Sequence, residues 1–397
     1  MLRENLRIKY NELNDDLGFS HCLLTARLRD TVFYSKDGKS ASQKKLTEFA
    51  AKGYEARLAS KIYRKCNCNV VEFFSTNNTA YAAKSGGIPT FLDDFTEIFG
   101  TKLRVTDNDE KAIVKALGKY RAVMVKDKFV ILTARSLDEA GTMTRIIDKN
   151  AFVMSKCPDY VKINPVVAKG MNIGFTYFYS KKNQKRIWQK ELSEPIEKTN
   201  SEELQIKDIY DEDKRVEALR IARKIYADNY TQGTWGNVSV RRDKDTFYCT
   251  PKAIGYNLLT PEDMVLMNCA SNRQMTKNNK ATSEKGIHSK IMKEFPDCYT
   301  AVHAHPVYCS IFAARNKDME ISDENKSLLG ERIYCSKHAL PMSKRLAKNS
   351  FEAMKGSKAG IMGNHGIIAC GNSIEEVFEI LYALEYEAKK AVEKFRK

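Results

Sequence analysis

The sequence predicts an α/β protein built from two copies of one domain. Two observations support this: strand and helix patterns alternate along both halves, and the same series of patterns occurs twice. Ile367 to Val377 reads IIACGNSIEEV, and Val130 to Ala140 reads VILTARSLDEA. Each is an apolar strand, a short polar turn, and a Ser placed to cap a helix with acids in its first turn. Both continue with apolar residues at helical spacing: Val377, Ile380, Leu381 and Leu384 in one, Met143, Ile146 and Ile147 in the other. A second pair agrees. Ala301 to Ala314 reads AVHAHPVYCSIFAA and Val70 to Ala83 reads VVEFFSTNNTAYAA, preceded by the amphipathic segments SKIMKEF and SKIYRKC. The period, roughly 235 residues, marks a duplication, because solenoid repeats run ~20–50 residues.

The bulk properties set limits. A length of 397 residues allows two or three domains, and 43% hydrophobic residues suffice for packed cores. No apolar run reaches the ~18 residues of a membrane span. The opening MLRENLRIKYNELNDD carries charges where a signal peptide has its apolar stretch. A soluble cytoplasmic protein without a membrane partner is expected. The ten cysteines are scattered, and the closest pair, Cys66 and Cys68, is C-x-C, so neither a zinc ribbon nor a disulfide framework is predicted. The net charge of +16 comes from lysines spread along the chain, with no nucleic-acid-binding motif. No nucleic-acid partner is predicted; attraction for anionic small substrates is the functional counterpart of the charge.

These patterns divide the chain into a first domain at 1–156, a linker at 157–207 and a second domain at 208–397. Within the linker, VVAKGMNIGFTYFYS (Val166 to Ser180) is apolar enough to be a packed strand. The charge-rich KKNQKRIWQKELSEPIEKTNSEE that follows reads as exposed.

The chemistry gathers in the second half, which holds five of the six histidines. His303 and His305 form H-x-H in a short apolar strand, so both imidazoles share a face, ~6.5 Å apart along the chain. That spacing suits two bonds of ~2.0–2.1 Å to one zinc ion. His365 lies in AGIMGNHGIIACG, where glycines let the backbone approach something closely. Glu284 opens the amphipathic helix of Ile287, Ile291 and Phe295, with Thr282 or Ser283 as cap and Glu284 in the first turn. Such a helix start also suits an anion. Gly236-Asn237-Val238-Ser239 opens a strand, and TPKAIGYNLLTPEDMV follows from Thr250.

In order, GNVS, TP-x-x-x-x-Y-x-x-LTPEDMV, SE-x-x-x-H-x-x-I, VHAHP and NHG-x-x-x-xG resemble the class II aldolase/adducin family, over about Val216 to Lys397. That family includes fuculose-1-phosphate and rhamnulose-1-phosphate aldolases and ribulose-5-phosphate 4-epimerases. The resemblance implies a three-layer α/β/α domain with a central, mostly antiparallel sheet. It also implies Zn²⁺ on His303, His305 and His365, with Mn²⁺ or Co²⁺ as substitutes, and Glu284 as acid/base. Gly236, Asn237, Thr250 and Ser283 would hold a substrate phosphate. Where the family has a small hydroxyl residue and Gly after Thr-Pro, this chain has Lys252 and Ala253; Lys252 can meet a phosphate as a point charge. A second catalytic residue follows H-x-H in the family, and Glu324 in ISDENKSLLGE is the candidate. The implied activity is a zinc-dependent lyase of the aldolase type acting on a sugar phosphate. Alternatives are a sugar-phosphate dehydratase, 4-epimerase or decarboxylase of the same family, or an adducin-like non-catalytic scaffold.

A gapless alignment of the halves puts Glu72 at His303, Phe74 at His305, Lys128 at His365 and Glu55 at Glu284. The first half is therefore expected to be a degenerate copy without metal. Family members resemble one another in forming four-fold assemblies, so a homo-oligomer is expected, either a dimer imitating a tetramer or a tetramer.

Overall fold

The structure, a computed structural model, describes residues 1–179, 181–196, 205–252 and 254–394. Residues 1–155 and the segment from 162 on form one compact unit; residues 156–161 and the chain from 205 on form another. Each unit is built on a seven-stranded sheet.

In the first unit the strands are β1 (His21–Leu28), β2 (Thr31–Ser35), β3 (Ser42–Lys45), β4 (Val70–Ser75), β5 (Val105–Thr106), β6 (Ala122–Val125) and β7 (Val130–Ala134). Their order is β3-β2-β1-β4-β7-β6-β5. In the second unit they are β8 (Asn237–Arg241), β9 (Thr246–Cys249), β10 (Val265–Asn268), β11 (Thr300–Ala304), β12 (Cys335–Ser336), β13 (Ala359–Met362) and β14 (Gly366–Gly371). Their order, β10-β9-β8-β11-β14-β13-β12, is the same. Every pair is antiparallel except the last, β5 with β6 and β12 with β13. The middle strands β4, β11 and β14 are buried along their whole length. A strand hidden on both faces needs helices on both sides, which gives the three-layer α/β/α arrangement.

One helical layer carries α1 (Tyr54–Lys65) in the first unit and α5 (Lys285–Glu294) in the second. On β4 and β7, Val71, Phe73 and Ile131 pack against Ala59 and Ile62 of α1. On β11 and β14, Ala301, Ile368 and Cys370 pack against Ile287 and Ile291 of α5. The other layer carries α2 (Leu137–Lys156) and α6 (Ile374–Lys394). Both start as the sequence predicts. Ser136 Oγ accepts from Glu139 N–H and Ser373 Oγ from Glu376 N–H, and the apolar residues at helical spacing are buried.

The copies correspond residue by residue through their ladders, and this corrects the gapless alignment. Lys128 does fall at His365. Both follow a residue in the left-handed region, Asp127 (φ 54°) and Asn364 (φ 57°), and both donate N–H three residues back, to Val125 and Met362. From that hairpin, Ala134 matches Gly371. Ala134 pairs with Val70 and Gly371 with Thr300. His303 therefore corresponds to Phe73 and His305 to Ser75, not to Glu72 and Phe74. Glu72 points to the opposite layer, where Thr144 Oγ1 of α2 donates to it. The slip is one residue, and in a strand one residue reverses every side chain.

The segment expected as strand and linker is largely helical. Asn164 caps α3 (Pro165–Gly174), its side chain accepting from Val166 N–H, and Pro165 occupies the first turn. Ala168 and Met171, one turn apart, are buried, and Phe175–Tyr179 continues as a π-helical turn. The charged stretch forms α4 (Lys181–Ser193). Its Glu191 is buried and accepts from Leu137 and Asp138 N–H, the free donors at the start of α2. Ser180 and residues 197–204 lie outside the described residues. Among those described, no helix is long and apolar enough to cross a membrane.

Candidate metal centre

Three loops and a helix start converge where β8, β11 and β14 run side by side. His303 is the fourth residue of β11, paired with Asn237 on one side and Ile368 on the other. His305 lies just beyond the strand, where its N–H donates to Tyr230 O. His365 sits in the tight turn between β13 and β14. The next residue has to be glycine. A Cβ on Gly366 would stand 2.5 Å from Ala304 O and about as close as contact allows to the rings of His303 and His305. At the start of β8, Gly236 (φ +135°) leaves room for Thr231 and for His303 O.

All three rings are buried, and their ligand atoms lie within 4.8 Å of one another. His303 Nε2 is 2.9 Å from His305 Nε2 and 3.1 Å from His365 Nε2. Glu284 joins them, with Oε2 3.2 Å from His303 Nε2 and Oε1 2.9 Å from His365 Nε2. The tautomer of His303 is fixed. Its Nδ1 faces Ile367 O at 2.8 Å, a carbonyl only accepts, so Nδ1 carries hydrogen and Nε2 offers its lone pair to the cluster.

This donor set fits a divalent ion. Nitrogens held ~2.0–2.1 Å from one tetrahedral ion stand roughly 3.4 Å apart, near the spacing observed. Nitrogen atoms this crowded leave little room for protons and one place for a cation. Burial pushes the Glu284 carboxyl up, but its interactions with the facing rings of His303 and His365 and its hydrogen bonds with His365 and Asn237 bring it well below the usual carboxylate range. Glu284 is thus an ionised carboxylate at the edge of a three-nitrogen site. It stands at the N-cap of α5 rather than within the first turn. Its N–H donates to Thr282 Oγ1 and its C=O accepts from Ile287 N–H.

The candidate phosphate residues cluster beside it. Pro251 bridges to Ala281, Thr282 N–H donates to Thr250 O, and Lys252 N–H donates to Lys280 O, so the Thr-Pro turn runs alongside the approach to Ser283 and Glu284. Thr250 Oγ1 accepts from Val238 N–H, tying that turn to the Gly236-Asn237 strand. Lys252 Nζ lies 3.8 Å from Met342 Sδ; Ala253 lies outside the described residues. Glu324 is not brought to the cluster. It is exposed, against Lys390 and Tyr386 of α6.

Sequence reasoning gave no role to His288 and Ser239. His288 Nε2 meets Asn237 Oδ1, His288 Nδ1 meets Ser239 Oγ at 2.7 Å, and Asn237 Nδ2 donates to Glu284 Oε2 at 2.8 Å. The signal was present in the spacing: Glu284 and His288 are one helical turn apart, and Asn237 and Ser239 are alternate residues of a strand. In the first unit, Phe73, Ser75 and Lys128 hold the three ligand positions and cannot bind a metal as a set. Glu55, at the place of Glu284, pairs with His21 at 2.9 Å.

Residues 216–392 match the family model described as Class II Aldolase and Adducin N-terminal domain. The chain is 31% identical to L-fuculose phosphate aldolase of Methanococcus maripaludis over 173 residues, 44% of this chain and 93% of that protein. It is 26% identical to 5-deoxy-D-ribulose 1-phosphate aldolase of Bacillus thuringiensis serovar kurstaki over 176 residues, 44% of this chain and 82% of that protein. A solved structure of L-fuculose 1-phosphate aldolase is 26% identical, covering 47% of this chain and 90% of its own, with a TM-score of 0.45.

Proposed function

This chain belongs to the class II aldolase and adducin family, and we propose that its second unit is a zinc-dependent lyase of the aldolase type that cleaves a sugar phosphate. The observation that supports this most is the convergence of three imidazole Nε2 atoms, two of them set against the Glu284 carboxylate. His303, His305 and His365 would hold the ion, which when bound supplies a Lewis acid for the substrate's oxygens. Ring nitrogens fixed by backbone partners, as His303 is, keep their lone pairs directed without reorganisation.

In cleavage the hydroxyl beyond the breaking carbon–carbon bond gives up its proton, and Glu284 Oε1 or Oε2 delivers a proton to the carbon next to the carbonyl of the released triose phosphate; in the reverse direction it removes that proton. Its burial excludes bulk water from that proton. Gly236, Thr250, Lys252 and Ser283 hold the phosphate and so position the reacting carbons. Asn237, with its amide engaged by Glu284 and His288, belongs to the acid/base rather than to the phosphate. The first unit is a degenerate copy of the second, kept for packing or assembly. Both named relatives are aldolases of phosphorylated sugars, which favours cleavage over dehydration, epimerisation or decarboxylation.

The test is turnover of a panel of ketose 1-phosphates and acidic sugar phosphates by zinc-loaded protein. Release of a triose phosphate from at least one ketose phosphate is expected. A metal-loaded protein that processes none of them excludes the lyase.

A further inference from the structure

The hydrogen bonds behind Glu284 run in one direction. Asn237 Nδ2 donates to Glu284 Oε2 at 2.8 Å. The amide oxygen of Asn237 therefore faces His288 Nε2, and since that oxygen accepts, Nε2 carries the hydrogen. His288 Nδ1 is then bare, and Ser239 Oγ donates to it. All four side chains are buried. Asn237 and Ser239 share one face of β8, while Glu284 and His288 lie a turn apart at the start of α5, so this relay joins one strand to one helix. Burial pushes the His288 ring down to about 3, so it stays neutral with a single hydrogen.

We propose that His288 is a positioning residue: as the Nε2–H tautomer it locks the Asn237 amide with its NH₂ toward Glu284, and so fixes the rotation of that carboxylate against His303 and His365. The proposal rests on Glu284 being the acid/base. An amide has two orientations of nearly equal shape; the carboxylate favours the one with NH₂ toward it, and the Nε2–H of His288 clamps the same orientation from the far side. With the Nε2–H donor gone, the amide oxygen loses its partner, the amide is held from one side only, and the rotation of the carboxylate is no longer fixed. A histidine that only filled space would be replaceable by any ring of its size.

Three measurements decide it. In the intact metal-bound protein labelled with ¹⁵N-histidine, the His288 resonances, assigned by their loss in His288→Gln, should report Nε2–H with a bare Nδ1; an Nδ1–H tautomer overturns the proposal. With cobalt(II) as spectroscopic probe, His288→Phe should still take up one equivalent but shift the visible bands, while His288→Gln, which keeps a donor near the Nε2 position, should restore the wild-type spectrum. In turnover, His288→Phe should lose on the order of 10²-fold in kcat with KM within a few-fold, as expected of a misplaced group, and His288→Gln should recover most of it. A Phe variant with wild-type bands and kcat overturns the assignment. Should His288→Phe fail to fold, the tautomer and the Gln variant still decide. Should the wild type cleave no sugar phosphate, the lyase proposal fails on its own, and the tautomer and cobalt measurements still test the lock.

Discussion

Asn237 and His303 sit directly opposite each other on β8 and β11, and both reach the same oxygen, Glu284 Oε2, at 2.8 and 3.2 Å. One side chain donates a hydrogen bond to the carboxylate and the other sets a ring nitrogen against it. The carboxylate is thereby held beside the site without having to be one of its ligands.

Glu284→Gln should accordingly keep the metal and the fold but lose turnover by about 10²–10⁴-fold, the usual cost of removing a positioned base. Metal content by elemental analysis and kcat on the best substrate of the panel check this. Near-normal turnover in a zinc-loaded Gln variant would falsify the assigned role. As a mere N-cap residue, Glu284 would contribute only ~1 kcal/mol of stability.

One divalent ion per chain is the expected stoichiometry, all of it in the second unit. His303→Ala or His305→Ala should abolish it, because two nitrogens and a carboxylate hold zinc far more weakly than the full set. Changing Lys128 in the first unit should leave the metal content unchanged. Two ions per chain, or none after reconstitution, would contradict the site as built.

Gly366→Ala places a methyl group 2.5 Å from the Ala304 carbonyl. Backbone cannot move aside as a flexible side chain can, so β11 and the turn carrying His365 must separate. The expected result is a loss of roughly 1–3 kcal/mol in stability, the usual range for overpacking, and at least about tenfold weaker metal binding, followed by thermal unfolding and cobalt titration. Unchanged affinity would mean that the turn is not clamped by this contact.

Glu72 makes a pH prediction for the first unit. Burial pushes its carboxyl up to about 8, against the Thr144 hydrogen bond and the nearby charges of Arg145 and Lys9. Its Oε1 has no hydrogen-bond partner among the described residues. The folded state therefore holds a proton that the unfolded chain releases near 4.5. Between those values the folded state binds more protons, so stability falls as pH rises through about 4.5 to 8, by up to ~1.4 kcal/mol per pH unit. Glu191, also pushed up to about 8 by burial, adds a slope of the same sign. Glu72→Gln should raise the unfolding temperature at pH 8 and change it little at pH 4.5. Equal effects at both pH values would show that Glu72 is not protonated in the fold.

Much of the site was legible because it depends on residue types in an order. Three histidines, a Glu at a helix start and glycines beside the ligands are chemical choices, and each carries its own signature. His288 was part of a matched motif but received no role, since a histidine on a buried helix face looks the same whether it packs or points. What it does depends on Asn237, 51 positions away.

The sequence alone determined the repeated pattern, the two capped helices α2 and α6, and which three histidines come together, because periodicity and residue chemistry are local. Tertiary structure decided the parity of β4. A strand buried on both faces has no polar side to mark its phase, so VVEFFS aligns with its partner equally well one residue off, and only the ladder from β7 sends Glu72 to one layer and Phe73 to the place of His303. Tertiary structure also decided the charged stretch from Lys181. Its composition suggests solvent, yet Glu191 satisfies backbone donors 54 and 53 residues earlier, at the start of α2. A long-range hydrogen bond of that kind leaves no trace in the segment that makes it.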